Sequence, residues 1–343
     1  MHGLPPDRIG SMTRLAKVDV VGVGLNATDT TIQIAEFPEC GSKVEYDSER
    51  VTPGGQVAST VVACQSWGLT TRYVGKLGDD DAARLHAREF ERTGVEGQLI
   101  HVPGAASARS LILVDRHGER TVMCRRDERV VLRPEELQRE WIVNARALHV
   151  DGHDTAAATI AASWAREAGV PVIADLDEIY PGVDALIEKI DYLVVSRDFP
   201  SRLTGERDLK AALQEIQTRY GCLLTAATLG PDGVLAWDGA YFHYATAYRV
   251  PVVDTTGAGD IFHAGFIYGL LQGWELERQL DFSCAAAALN CMHEGARGGI
   301  RTVDAIEALM AATPRYAGIE ELAISSISSI SSISEAVSAE DAV

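Results

Sequence analysis

Short apolar runs alternate with longer segments of helical spacing along most of the chain, and their order sets the expected fold class. Val18 to Val23 is nearly continuously apolar, the pattern of a strand buried on both faces. From Ala147 the alternation is regular. Ala147 to Val150, Val170 to Ala174, Tyr192 to Val195 and Cys222 to Thr228 read as strands, with a helix from Thr155 to Ala168. This β–α–β order predicts an α/β fold in which a mostly parallel central sheet carries helices on both faces. Asp151, Asp175, Asp177, Ser196 and Thr228 follow or close these strands, which places the expected site along one sheet edge. Loop capping serves equally well for the three aspartates, and His153 reads as a hydrogen-bonded loop histidine.

Two stretches interrupt the alternation. Residues 29–51 and 99–124 are β-rich, with strands expected at Val44 to Val51, Leu99 to Val102, Ser107 to Asp115 and Glu119 to Cys124, and a turn at Arg116-His-Gly118. Gly22-Val-Gly-Leu-Asn-Ala27 matches a dinucleotide fingerprint, but that motif needs a helix to open at its glycines. Thr30 to Ala35 instead has β-branched residues in strand-like order, so the match is rejected. Asp29, just past the first strand, sits where open α/β sheets bind ligands. In Thr52-Pro-Gly-Gly-Gln-Val-Ala-Ser59, Gly54 and Gly55 permit close approach of a polar ligand, and Gln56 and Ser59 offer hydrogen bonds. A small-residue helix from Thr60 to Trp67 follows. Arg109, Arg120, Arg125 and Arg126 lie on the β-rich block, where charges also deter edge pairing.

The densest chemistry lies between an apolar β run, Val250 to Val253, and the apolar segment Ile261 to Leu271. It reads Asp254-Thr-Thr-Gly-Ala-Gly-Asp260. Gly257, Ala258 and Gly259 at a strand-to-helix junction make an anion hole of backbone amides. Asp260 sets a carboxylate at its mouth, which suits handling a hydroxyl that attacks a phosphoryl group held there. A bare G-x-G-D would fit a capped turn; the whole string is far more specific. A helix N-terminus lowers a carboxylate's pKa, so Asp260 is expected to be a weak base.

Composition narrows the function. The 343 residues are 46% hydrophobic and 23% charged, with a formal charge of −18. That charge argues against nucleic acid or an anionic membrane as partner, and there is no apolar stretch long enough for a membrane span. Residues 1–17 do not read as a secretory signal. Six cysteines without CxxC or metal-ligand spacing fit a cytoplasmic setting. Leu276 to Met292 reads as an alanine-rich helix with an apolar stripe at 280, 284, 287 and 291, a core-packing pattern. Ile324 to Ser334 repeats Ile-Ser-Ser, a period fitting neither strand nor helix, so residues 319–343 are expected to be a low-complexity, disordered tail.

Asp-Thr-Thr-Gly-Ala-Gly-Asp resembles the signature of the ribokinase-like (PfkB) carbohydrate kinases. Asp29, then Gly54-Gly55, Val74-Gly-Lys-Leu-Gly-Asp-Asp80 and Thr228-Leu-Gly-Pro-Asp-Gly233 follow the family's order. The resemblance covers residues 15–318. It implies a ribokinase-like three-layer α/β/α fold whose β-rich block is a small lid and often a homodimer contact. It implies ATP and Mg²⁺ as cofactors and a sugar-like small molecule as substrate. Asp260 would be the base and Gly257, Ala258 and Gly259 the anion hole. Asp29, Gly54, Gly55, Gln56, Ser59 and Arg109 would meet the sugar. Ser196, Thr228, Gly230, Gly233, Thr256 and Cys284 would meet the nucleotide, with Gly295 to Gly299 closing its pocket. Asp254 would organise a K⁺ site.

Three positions depart from the family. Ser59 stands where Asn is common, and a hydroxyl cannot span what an amide does. Ser196 and Phe199 stand where N-x-x-E is usual, as in ketohexokinase-type members. Gly54-Gly-Gln-Val-Ala-Ser59 is similar to the sulfofructose kinase branch. Two other functions fit the same residues: a nucleoside (adenosine-like) kinase, and a sugar- or nucleotide-sensing protein without turnover.

Overall fold

The computed structural model describes residues 15–116 and 120–315. His117 and Gly118 of the expected turn, residues 1–14, and the Ile-Ser-Ser tail lie outside the described residues. The chain enters through β1 (Val18–Val23), turns into β2 (Ala27–Gln33) and β3 (Ser48–Gly54), and starts α1 (Gln56–Ser66) at once. Then come β4 (Thr71–Leu77), α2 (Asp81–Thr93), β5 (Glu96–His101), β6 (Arg109–Val114) and β7 (Arg120–Arg125). The alternating part holds α3 (Arg139–Val143), β8 (Ala145–Asp151), α4 (Thr155–Glu167), β9 (Val172–Leu176) and α5 (Val183–Ile187). It continues with β10 (Tyr192–Ser196), α6 (Phe199–Thr204), α7 (Leu209–Tyr220), β11 (Leu224–Thr228), β12 (Val234–Trp237) and β13 (Phe242–Ala245). Helices α8 (Ala258–Gln272), α9 (Leu276–Cys291) and α10 (Val303–Ala312) close the described chain.

Nine strands form one sheet in the order β13-β12-β11-β10-β9-β8-β1-β4-β5, parallel except at β12 and β13. One apolar layer joins the sheet to α4–α7, through residues such as Ala161, Leu186, Phe199 and Ile216. The other joins it to α1 and α8–α10, through Cys64, Phe266, Phe282 and Ile306. Small side chains let the helices come close. Gly265 on α8 has no room for a Cβ, which would stand 2.7 Å from the Ser283 Cα on α9. Four further strands make a separate sheet, β3-β2-β6-β7, the expected lid.

Three local expectations need correction. Strand β5, assigned from sequence to the lid block, is the edge of the main sheet, parallel to β4 from Arg72↔Glu96 to Leu77↔His101. Helix α2 ends at Gly94 (φ 84°), and a helix crossover returns the chain parallel to the strand before it. Asp29 lies within β2, paired with Thr52 and Ser110, not beyond a strand end. Val250 to Val253 forms no strand. The chain there is leaving the sheet edge for α8, with Val252 and Val253 more than half exposed and Val253 N–H bonded to the Cys291 carbonyl at 2.8 Å. The rejected dinucleotide fingerprint is indeed followed by a strand, β2.

Candidate active site

Helix α8 opens at Gly257 in the left-handed region (φ 75°). A Cβ at this position would stand 2.2 Å from the Ala296 carbonyl oxygen, so residues 254–257 and 295–299 pack backbone to backbone. Asp254 ties them together, its Oδ1 accepting from Thr256 N–H and its Oδ2 from Gly295 N–H, each at 2.8 Å. Asn290 adds a second clamp: its Nδ2 donates to the Thr256 and Ala296 carbonyls, and its Oδ1 accepts from Gly299 N–H. Asp254 therefore organises the loop through amides. The Ala258 amide is bonded to the Thr255 carbonyl at 3.2 Å. Gly259, one residue on, faces open space: no atom lies within 4 Å of where its Cβ would be. This first turn of α8 is open to solvent at Gly259, where a helix N-terminus favours an anion.

Asp260 stands on that turn beside Ser59 of α1, whose hydroxyl hydrogen-bonds its carboxylate. Thr60 Oγ1 donates to the Asp260 carbonyl at 3.0 Å, locking α1 to α8. Burial and the neighbouring Asp175 carboxylate raise the Asp260 pKa to about 8, outweighing His263, Ser59 and Arg297, which lower it. This reverses the weak-base expectation. The helix terminus acts only as a partial charge, while the half-buried Asp260 stands beside α1 and Asp175 of β9. Asp175, in β9, is pushed well above the carboxylate range by burial and by Asp177 and Asp151; it hydrogen-bonds Gln56. His263, one turn along α8, sets Nδ1 2.8 Å from the Gly259 carbonyl and Nε2 3.2 Å from the Val194 carbonyl; burial lowers its pKa, and the neutral ring donates to one of the two.

Facing Asp260 is a residue whose place the sequence did not reveal. Arg297 was assigned with residues 295–299 to the nucleotide pocket. Its side chain instead reaches α1, donating from Nε to Ser59 Oγ at 3.1 Å and from Nη2 to the Gly54 carbonyl at 2.6 Å. Its Nη1 pairs with Glu89 of α2, and both side chains are buried. A hydroxyl at 59 leaves room for this guanidinium, which supplies the reach an amide would have had.

The lid supplies the opposite wall. Burial raises Asp29 to about pKa 6, against a hydrogen bond from Ser110 and the charge of Arg297. Gly54 lies close against it: a Cβ there would stand 2.0 Å from Asp29 Oδ2 and push the carboxylate aside. At Gly55 (φ 92°) a Cβ would come within 2.7 Å of the Leu25 carbonyl and the Asn26 Cα. Both amide atoms of Asn26, the Thr52 hydroxyl and Gln56 Oε1 are buried without partners. Arg109 is not brought to this cluster. It precedes Ser110 on β6 and so points to the other face, where it pairs with Asp80 at 2.9 Å.

At the far end of the sheet edge Ser196 and Thr228 are register partners on β10 and β11. Gly230 (φ 61°) and Gly233 (φ 95°) turn the chain back into β12, and a Cβ on Gly233 would stand 2.0 Å from the Ala245 carbonyl. Cys284 does not line an open cleft. It is buried between α9 and β13, with Sγ 3.9 Å from the Ala245 carbonyl and a thiol pKa pushed by burial to about 12. Asp151 accepts from Leu25 N–H (2.7 Å) and His153 N–H (3.0 Å) and fixes loops. His153 is the hydrogen-bonded loop histidine expected, against Tyr180.

Among the residues the sequence reading passed over are Asn26, Thr52, Ser110, Glu89 and the inward reach of Arg297. Asn26 alone left a signal, as a polar residue just beyond a buried strand.

Comparison with known proteins gives a consistent result. A family model described as "pfkB family carbohydrate kinase" matches residues 16–303. An ATP-dependent ribose-1-phosphate kinase of Halopiger xanaduensis is 31% identical over 303 residues, covering 86% of this chain and 98% of its own. The crystal structure of a putative ribokinase from Agrobacterium tumefaciens superposes with a TM-score of 0.80 at 30% identity, over 86% of this chain and 98% of that one. An Arabidopsis thaliana ribokinase complexed with ribose and ATP superposes at 0.74 with 24% identity, over 86% and 99%.

Proposed function

The chain belongs to the pfkB family of carbohydrate kinases and is a phosphotransferase of ribokinase-like fold; on that premise we propose that it phosphorylates a hydroxyl of a sugar or sugar derivative, with Asp260 as base. The observation that carries this reading is the set of unpartnered buried polar atoms on Asn26, Thr52 and Gln56, residues that flank Gly54 and Gly55. Buried polar groups are almost always hydrogen-bonded, and a polyhydroxylated ligand supplies partners of both kinds at once.

The cofactor fits the residues present. The open face at Gly259 takes a phosphoryl group, and Ser196, Thr228, Gly230, Gly233 and Thr256 lie along the edge a nucleotide would follow. Among the described residues no group of three acidic, histidine or cysteine side chains is placed to hold a metal. ATP bound with Mg²⁺ supplies the phosphoryl group. The protein's own work is positioning. Asp29 and Gly54 fix the sugar, Ser59 and Arg297 orient Asp260, and Asp260 accepts the hydroxyl proton. In phosphoryl transfer such placement and charge stabilisation account for most of the rate. We place this activity in the cytoplasm, where the free cysteines stay reduced.

The test is Mg-ATP-dependent ADP release across ribose, ribose 1-phosphate, fructose, sulfofructose, 2-keto-3-deoxygluconate and adenosine. Ribose 1-phosphate is included because a relative with 31% identity carries that activity in its name. One substrate should stand out, and Asp260→Asn should lower its turnover about 10²–10⁴-fold while ATP still binds. Near-normal turnover in that variant would remove Asp260 as the base.

A further inference from the structure

His263 is buried one turn into α8, with its ring set among acceptors. Nδ1 lies 2.8 Å from the Gly259 carbonyl and 3.5 Å from Asp175 Oδ2, and Nε2 lies 3.2 Å from the Val194 carbonyl. Asp175 belongs to β9 and Val194 to β10, so one side chain ties the start of α8 to two central strands. The shortest contact has a consequence for Asp260. The Gly259 carbonyl and the Asp260 N–H share one planar trans peptide and point in opposite directions. A ring that holds this carbonyl along the helix therefore aims the Asp260 amide back out of the helix start. There the first four N–H groups have no intrahelical partner, and the turn is open at Gly259. The carboxylate of the same residue is hydrogen-bonded by Ser59 of α1. Behind His263, on β8, stands His149, wholly buried, its ring centroid 5.6 Å away and the two planes inclined at 38°. Neither nitrogen of His149 has a hydrogen-bond partner among the described residues; the Ile173 backbone lies beside it without the geometry of a bond. A buried polar ring left so costs stability that an apolar side chain would not, and such departures are expected where a site needs them.

We propose that His263 is a positioning residue for phosphoryl transfer: it fixes the Gly259–Asp260 peptide so that residue 260 turns its amide to the phosphoryl group and its carboxylate to the acceptor hydroxyl, and His149 keeps the ring in place. This role rests on the kinase function proposed above, with Asp260 as base. His263 acts through residue 260 rather than on the substrate. The titratable groups facing its ring are Asp175 from β9, His149 from β8 and Asp260 on its own helix. The ring lowers the pKa of Asp260, so removing it leaves a second mark: the base then needs a higher pH to lose its proton.

The test compares substitutions at 263 with the wild type in ADP release at saturating Mg-ATP, using the substrate that stands out in the panel above. His263→Asn keeps a donor where Nδ1 lies, His263→Gln moves it to the place of Nε2, and His263→Leu has none. His263→Leu and His263→Gln should lower kcat about tenfold or more with the sugar KM little changed, while His263→Asn recovers most of the loss. In His263→Leu the rising limb of the pH profile should also move to higher pH, which a loss of packing alone does not produce. His149→Leu removes both unpartnered nitrogens; it should be at least as stable as the wild type in chemical denaturation and still turn over more slowly. Equal kcat in the Asn and Gln variants, or a wild-type kcat and pH profile in His263→Leu, overturns the role of His263; the Asn–Gln comparison decides if the Leu variant does not fold. Full turnover in His149→Leu overturns the role of His149. Asp260→Asn is run alongside. If it keeps its turnover, the base fails and this role with it. Lost turnover there, with wild-type behaviour in His263→Leu, leaves the kinase reading standing and removes this role alone.

Discussion

Asp260 has a pKa near 8 because burial and Asp175 outweigh Ser59, His263 and Arg297, and this fixes a pH profile. As the proposed base, Asp260 must be deprotonated to accept the hydroxyl proton, so the ATP-bound enzyme should be active above that pKa and lose activity below it. At pH 7 about a tenth of the molecules hold the charged form, at pH 8 about half, and at pH 9 about nine-tenths. The expected kcat/KM for the sugar therefore rises about fivefold from pH 7 to 8, less than twofold from 8 to 9, and then levels. The assay is ADP release at saturating Mg-ATP and subsaturating sugar, with ATP affinity measured separately at each pH. Ser59→Ala removes one of the groups that lower the pKa, so its rising limb should move to higher pH. A flat profile from pH 6 to 9, or a limb centred near the ordinary carboxylate value, would refute the reasoning. A limb that shifts downward in Ser59→Ala would do the same.

Gly54→Ala puts a methyl where Asp29 Oδ2 now lies; the sugar KM should rise about tenfold or more, equivalent to 1.4 kcal/mol, with ATP binding kept, as seen by comparing the two titrations. Arg297→Met leaves Glu89 buried without its partner, a change expected to cost about 3–5 kcal/mol in chemical denaturation. Adding Glu89→Met should recover much of that stability without restoring turnover, and additive losses would argue against the pair. The lid exposes Val51 and Met123 on one face, an apolar surface that fits the expected homodimer. Light scattering should give twice the chain mass, and Met123→Asp should return it toward one.

What was readable in the sequence was local. The apolar run at Val18 to Val23 and the regular alternation after Ala147 became central strands, because strands buried on both faces need no tertiary information to be seen. Gly257 and Asp260 were legible because a turn and a helix start are neighbours in the chain. The run at Val250 failed for the converse reason: apolar residues form a strand only by pairing with another strand, and here the chain leaves β13 for α8 with Val253 N–H on the Cys291 carbonyl. Strand β5 could not be assigned by composition, since which sheet it joins depends on the path of α2. Arg109 and Ser110 were separable only by the register of β6 on β2, which decides the face each presents. The pKa of Asp260 was out of reach because its main perturbers, burial and Asp175, are set by how α1, α8 and β9 converge.

The hydrogen bond between Arg297 and Ser59 joins residues 238 apart in the chain. At roughly 5–20 residues per second of synthesis, the second partner appears on the order of ten seconds or more after the first. The Gly54–Ser59 wall thus spends that interval without its buried cation, and Glu89 without its counter-charge. On the proposed function, a growing chain has no complete sugar site to be steadied by substrate until the ribosome has passed residue 297. Metabolite can then protect the finished enzyme, but it cannot act as a chaperone for the nascent one.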